Sequence, residues 1–309
     1  MSLPIKIKLP EHFLDPEVRC GYEVSSKLKK VWAVELDLLA EFDRVCSRHD
    51  INYQVFAGTL LGAVRHKGFI PWDDDVDVAM SRADYEKLLS IANEFRHPYF
   101  LQTPHNDTMF FSTHCRLRNC LTTGAIQNNL DVGYNNGIYI DVFVLDCYTN
   151  SRIGYILQSC FIRLLTVILV SKQTVWFCHD SLIKRLIRKT LRFLFRSVSY
   201  KTLLCKRDKI VSMFNGSCCS GRRVGLITHV NCFTEKYWLM ESELQNMNRY
   251  QFECLTVPGP SAYDSVLRRP YGDYMKYPPA KERGKWHEGT IIFEPEIPYE
   301  EFLKDRTYK

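Results

Sequence analysis

Acidic side chains are nearly missing from one stretch of this sequence. Between Ser151 and Arg223 lie 15 of the chain's 41 Lys and Arg but only two of its 35 Asp and Glu, Asp180 and Asp208, so the stretch carries +13 and the remainder −7. The formal charge of +6 therefore hides two electrostatic territories, and partners must be argued separately for each. Gly and Pro are scarce, 28 of 309 residues, and no internal repeat is evident, which excludes linker-rich, fibrous and low-complexity classes. No Cys-x-x-Cys occurs among the twelve cysteines, and the adjacent Cys218-Cys219 suits neither a zinc ribbon nor an easy bridge, so reduced thiols are expected. A zinc site from Cys115, Cys120, Cys178 and His179 would lack the usual ligand rhythm. Met1 to Pro10 has no apolar run of signal-peptide length, from which a cytoplasmic protein is expected.

What is present is ample for a large core: 46% of the residues are apolar. Leu28, Trp32, Leu36, Leu39, Phe42 and Cys46 recur at steps of four and three, which predicts an amphipathic helix over about Ser25 to His49. A strand follows around Tyr53 to Ala57, then a Gly-Thr turn, a helical turn over Leu60 to Arg65, and a strand over Val76 to Met80. Ser81, with Asp84 three residues on, opens a helix to about Phe95. Strand-like runs lie at Tyr99 to Gln102, Met109 to Leu117 and Gly137 to Leu145, and helices dominate from Arg152 to about Met213. The pattern is α+β: a mixed sheet flanked by helices, with a basic helical subdomain. The corresponding division is an N-terminal extension (1–24), a catalytic core (25–150), the basic block (151–223) and a C-terminal segment completing the fold (224–309).

Within that block, Ile153 to Val170 has about the length of a membrane span but is interrupted by Gln158 and Arg163, so it is not read as transmembrane. Leu182 to Arg196 alternates apolar and basic residues at helical intervals and reads as a basic amphipathic helix. It suits packing on its own domain with a solvated cationic face, peripheral contact with an anionic membrane at its inner face, or, less well, nucleic acid.

The chemistry concentrates between Phe56 and Met80. Asp73, Asp74, Asp75 and Asp77 place four carboxylates in five residues, which repel one another unless a cation or several donors sit among them. On a strand, Asp75 and Asp77 point to one face with their backbones ~7 Å apart, a metal-bridging arrangement. Oxygen-only ligands select a hard ion, Mg²⁺ or Mn²⁺. Asp141 sits in the middle of the apolar run Gly137 to Leu145, where an unpaired charge is costly, so a metal shared with Asp75 and Asp77 would be its partner. Asp146, at the strand end, reads as structural. Gly58 and Thr59 offer a backbone open to phosphate and a hydroxyl to bond it.

GTLLGAVRHKGFIPWDDDVDVAM, together with RADYEKLL, NNGIYIDVFVLD and YGDYMKYPP, resembles the LicD phosphotransferase family, whose relatives include the fukutin-related proteins. One departure is Val144, where relatives commonly carry proline. The resemblance implies a nucleotidyltransferase-type fold, with Gly58 and Thr59 on the donor phosphate, Asp75 and Asp77 on metal, and Asp141 as third carboxylate. It implies transfer of a phospho-alcohol, most often phosphocholine from CDP-choline, to a sugar hydroxyl of a cell-surface glycan, with CMP leaving. On that reading Arg65 and Lys67 clamp donor oxygens, Asp141 or Asp73 takes the acceptor's proton, with His66 the weaker base, and Trp72 lends an aromatic face to the trimethylammonium group. The rival readings are a nucleic-acid-directed nucleotidyltransferase and a non-catalytic membrane-surface scaffold.

Overall fold

A computed structural model describes residues 3–110, 112–127, 130, 133–172, 181–216, 223–226, 238–284 and 291–306. A hairpin of β1 (Glu17–Arg19) and β2 (Tyr22–Val24) leads into α1 (Ser26–Arg48), whose N-terminus is capped by Ser25 Oγ accepting from Leu28 N. This is the helix predicted from periodicity. It is buried on more than its apolar stripe: Trp32, Leu36, Leu39 and Phe42 are fully covered, and so are Glu35 and Asp37. Asp37 earns its burial by accepting from the amides of Lys6 and Ile7 (2.7 and 2.8 Å) and the hydroxyl of Tyr99 (2.8 Å), which straps the N-terminal segment onto the core.

Beyond α1 come β3 (Gln54–Val55), α2 (Ala57–Arg65), β4 (Asp77–Ser81), α3 (Arg82–Ser90), β5 (Tyr99–Gln102), β6 (Cys115–Asn119), β7 (Thr123–Ile126) and β8 (Ile138–Cys147). The helical block is α4 (Arg152–Lys172), α5 (Leu182–Leu194) and α6 (Tyr200–Val211). The chain closes with β9 (Arg223–Gly225), β10 (Trp238–Met240), α7 (Glu241–Gln245), β11 (Met247–Phe252), β12 (Leu255–Pro260), α8 (Tyr263–Tyr271), β13 (Ile291–Glu294) and α9 (Tyr299–Arg306).

The fold is α+β around a seven-stranded mixed sheet. Ten residues long, β8 is its axis: parallel β4 lies on one edge, with β3 antiparallel beyond it, while antiparallel β6 and then β9 share the other edge. Outside these, β5 flanks β6 and β10 flanks β9. Residues of the C-terminal segment thus complete the sheet, and β13 pairs with β7.

Three local expectations shift. Gly58 and Thr59 are not in a turn before a helix but in the first turn of α2. Strand β4 begins at Asp77, so Asp75 lies in the approach to the strand rather than on it. The run Met109 to Leu117 becomes strand only from Cys115, and its first residues, Met109 and Phe110, belong to a turn in which Phe110 N donates to Asp107 O. Ser81 caps α3 as predicted, accepting from Asp84 N at 3.1 Å. Asp146 lies inside β8, buried and held by Arg82 and Asn215, which is a structural role.

The eight described cysteines are all free thiols. Cys115 is buried in the sheet and Cys120 accepts from Asn135 Nδ2; Cys178 and His179 lie outside the described residues.

Candidate active site

The site is built where α2 and β4 meet β8. Asp77 and Asp141 are register partners on adjacent parallel strands, and side chains at paired positions stand on the same face of a sheet. Asp141 N donates to Val76 O (2.9 Å), so the residue between Asp75 and Asp77 is itself fastened to β8. Thr59 Oγ1 accepts from Asp77 N at 2.8 Å and ties the start of α2 to the first residue of β4. The predicted phosphate hydroxyl is therefore engaged in positioning the acid strand. Gly58 lies beside the acid loop: a Cβ there would stand 3.0 Å from Asp73 Oδ2. Trp32 on α1 donates its indole N–H to Asp73 O (2.9 Å) and pins the loop from below.

Electrostatically the cluster is stressed. Desolvation, and then the charges of Asp73, Asp77, Glu35 and Asp74, push half-buried Asp75 well above the ordinary carboxylate range. Glu35, fully buried on α1, is driven up in the same direction by burial and by Asp74, Asp73, Asp77 and Asp141. Its Oε2 has no hydrogen-bond partner. Sequence reading missed Glu35; the signal was an acid set against the apolar stripe of α1, between Trp32 and Leu36.

Asp141 stands differently. Its Oδ1 accepts from Arg116 Nε (2.7 Å) and contacts His114 Nε2 (2.8 Å), and its Oδ2 has Arg116 Nη2 at 3.5 Å. Burial opposes its charge, but the Arg116 guanidinium and His114 outweigh it and hold the carboxyl well below the usual range. The partner found for this acid is thus a largely covered cation on β6, its register mate Arg116. Arg116 also lies over the ring of Tyr139 at 3.8 Å. Neither Arg116 nor His114 was singled out from the sequence. Only the β6–β8 register, set by residues far apart in the chain, brings them to Asp141.

The remaining candidates gather at a second place. Arg65 donates to the carbonyls of Tyr274 (2.5 Å) and Lys276 (3.3 Å) and through Nε to His66 Nε2 (2.9 Å), so it braces the segment after α8. Burial and the charges of Arg65 and Arg19 lower His66 to about 4, so it is neutral at pH 7. It sits with Trp72 and Tyr277 rather than beside Asp141. Lys67 is exposed, at positive φ, and its carbonyl accepts from Glu253 N. Trp72 meets Tyr22 and Tyr277 edge-on, and the Arg283 guanidinium lies 4.8 Å over Trp72 and 5.6 Å over Tyr277. The aromatic faces next to the acid loop already hold a cation, one supplied by the chain itself.

By chemistry, though not by spacing, the acid loop resembles a donor set for a hard divalent cation. The groups are oxygen-only, their mutual repulsion is visible in Asp75, and the orphaned Glu35 oxygen lacks the partner that a buried acid needs. Among the described residues, no group of three or more His, Cys, Asp or Glu side chains is placed so that it could hold a metal ion.

Taken together, the site is a mixed-sheet α+β domain with acids paired across two parallel strands beside a helix N-terminus. Residues 50–148 are matched to the family described as LicD/FKTN/FKRP, nucleotidyltransferase domain, and the LicD resemblance carried by the motifs is real over that domain. Every predicted site residue falls within it, and Glu35 lies outside. Lipopolysaccharide cholinephosphotransferase LicD of Haemophilus influenzae is 26% identical over 264 residues, 84% of this chain and 96% of that protein. Uncharacterized proteins of Rickettsia prowazekii and Rickettsia typhi are 40% and 37% identical over 58 and 59 residues, 19% of this chain in each case and 22% and 19% of theirs.

Proposed function

We propose that this chain is a divalent-cation-dependent phosphotransferase that moves a phospho-alcohol from a CDP-alcohol, most simply phosphocholine from CDP-choline, onto a sugar hydroxyl of a cell-surface glycan. The observation that carries the reading is the in-register pair Asp77 and Asp141 beside Asp75 and the start of α2, in a chain similar along most of its length to a cholinephosphotransferase. In the reaction the acceptor oxygen bonds to the phosphorus of the phospho-alcohol, the bond from that phosphorus to the bridging oxygen breaks, and CMP departs with the electron pair. Mg²⁺ or Mn²⁺, held by Asp75 and Asp77 with Asp141 and Glu35 at the margin, would neutralise charge on the departing phosphate.

The chain's own groups supply the rest. The first amides of α2, at Gly58 and Thr59, and the helix dipole favour the donor's phosphates. Thr59 fixes α2 against β4 so that these amides and Asp77 keep one geometry. Asp141, tied to Arg116, is a poor proton acceptor. His114, with Nε2 on Asp141 Oδ1 and Nδ1 on Ser112 Oγ (2.7 Å), would take the proton only from its neutral form and through Nδ1. Trp72 and Tyr277 offer the faces on which a quaternary ammonium could replace the Arg283 guanidinium.

The test is incubation of the purified chain with Mg²⁺ and a panel of CDP-alcohols, reading CMP with and without a crude surface-glycan extract. Acceptor-dependent CMP that vanishes on chelation and in Asp77→Asn is the expected result. No CMP from any donor, or release indifferent to Asp77→Asn, defeats the reading.

A further inference from the structure

The helical block leaves a surface that neither its own core nor the sheet covers. Of the eighteen large apolar side chains exposed among the described residues, twelve are on α4 and α5. No residue of α5 is buried. Leu182, Ile183, Leu186 and Leu194 are 79, 72, 66 and 66% exposed. Of the three readings left open for the amphipathic helix, the first, packing of its apolar face on its own domain, holds along one edge only. Along that edge Leu191 and Phe195 meet Ile168, Leu169, Leu203 and Leu204, while Lys172 Nζ donates to Phe195 O at 2.8 Å.

At 100° per residue, Leu182, Ile183, Leu186, Ile187, Phe193 and Leu194 share one arc, and Lys184, Arg185, Arg188, Lys189 and Arg192 share the other. Helix α4 adds exposed Ile153, Leu157, Phe161 and Leu164, spaced four, four and three apart. It is 21 residues long, apolar enough by length and composition to cross a membrane, and only 28% of its most apolar window is buried.

We infer that α4 and α5 form a docking surface for an anionic lipid bilayer, with their apolar faces at the headgroup–acyl boundary and the flanking cations on lipid phosphates. Charge selects this occupant. A second copy of the chain would set one +13 block against another, and nucleic acid would use the cations but leave the apolar arc in water. An anionic bilayer satisfies both arcs together.

The mode is interfacial, not spanning. Gln158, buried in the middle of α4, donates to the carbonyls of Ile210 (2.8 Å) and Val211 (3.2 Å) at the end of α6, so one side of α4 is committed to protein. The block is in turn rooted on the catalytic sheet. Asn215 Nδ2 donates to Asp146 Oδ1 and Asn215 Oδ1 accepts from Cys147 N, both at 2.7 Å, and His105 meets Asp208 at 3.2 Å. A surface docked on lipid would thus carry the site with it, which suits an acceptor precursor attached to a membrane. That last clause rests on the proposed reaction; the docking does not.

The experiment is co-sedimentation of the full-length chain with vesicles of phosphatidylcholine alone and of phosphatidylcholine with phosphatidylserine, across a salt series. Partition at least about tenfold stronger on the anionic vesicles, weakening with salt, is expected. Ile183→Glu with Leu186→Glu, both on the exposed arc, should lower it by about tenfold or more while the melting temperature and the release of CMP with a soluble acceptor stay unchanged. Lys189→Glu with Arg192→Glu should abolish the anionic preference. Equal partition on the two lipids, or full partition by the Ile183→Glu/Leu186→Glu double variant, overturns the inference. So does self-association removed by the same changes in place of lipid binding, oligonucleotide binding without vesicle binding, or resistance to alkaline extraction. Sedimentation is read without turnover, so failure here and failure of the transferase reading are separate results.

Discussion

Arg116→Met isolates the contact that the structure places at the centre of the site. The substitution keeps an unbranched side chain against the ring of Tyr139 but removes the guanidinium from Asp141, whose Oδ1 lies 2.7 Å from Arg116 Nε. Both side chains are only 13% exposed, so solvent screens the pair weakly. Unit charges ~4 Å apart at an effective dielectric of ~20 attract by about 4 kcal/mol. Stripping one partner from a buried pair typically costs about 3–5 kcal/mol. His114 remains on Oδ1 at 2.8 Å and trims the loss, so a fall of about 3 kcal/mol in unfolding free energy is expected at pH 7.

The pH dependence fixes the sign. In the native chain Asp141 titrates below its unfolded value, so its contribution is present above about pH 4 and is lost as pH falls through the folded value. In Arg116→Met desolvation dominates, the folded value rises above the unfolded one, and stability is regained as pH falls. The two urea-denaturation curves should therefore lie furthest apart near neutrality, draw closer as pH falls to about 4, and close only as pH falls further through the folded value of Asp141. A companion Arg116→Met/Asp141→Asn variant should recover part of the loss. A difference under about 1 kcal/mol at pH 7, or one that does not change with pH, refutes the account of Asp141 as a charge held by a largely covered cation.

Asp75→Asn removes a carboxylate that its neighbours oppose, so in metal-free buffer it should melt no lower than the parent, yet lose the Mg²⁺-induced rise in melting temperature and about 10³-fold in CMP formation. Glu35→Gln should likewise keep the fold while weakening Mg²⁺ by about 10–100-fold in a calorimetric titration. Gly58→Ala favours α2 by about 0.5–1 kcal/mol on backbone grounds but brings a Cβ to 3.0 Å from Asp73 Oδ2. Melting should hold or rise while turnover falls, and an unchanged turnover would show that the approach of α2 to the acid loop is irrelevant. Asp208 is burdened by burial, but the His105 hydrogen bond and the Arg207 charge hold it below the usual range, so the stability it provides is present above its unfolded value and lost in acid. Thermal melts of Asp208→Asn should fall short of the parent above about pH 5 and approach it as pH drops toward 3.

Local chemistry was legible because it repeats along the chain. The step of four and three gave α1, the Ser81–Asp84 pair gave the start of α3, and the apolar run Gly137 to Leu145 gave β8, since each depends on near neighbours in sequence. The acid run 73–77, Asp141 and the charge imbalance of 151–223 needed no structure at all. What tertiary structure alone decided was company. Register across β4, β8 and β6 set Asp141 between Asp77 and Arg116, the burial of α1 brought Glu35 under the acid loop, and the packing of α5 by one edge left its apolar arc in the open. Pairing between strands and helices distant in sequence is determined by the summed fit of the whole core, and no window of residues contains it.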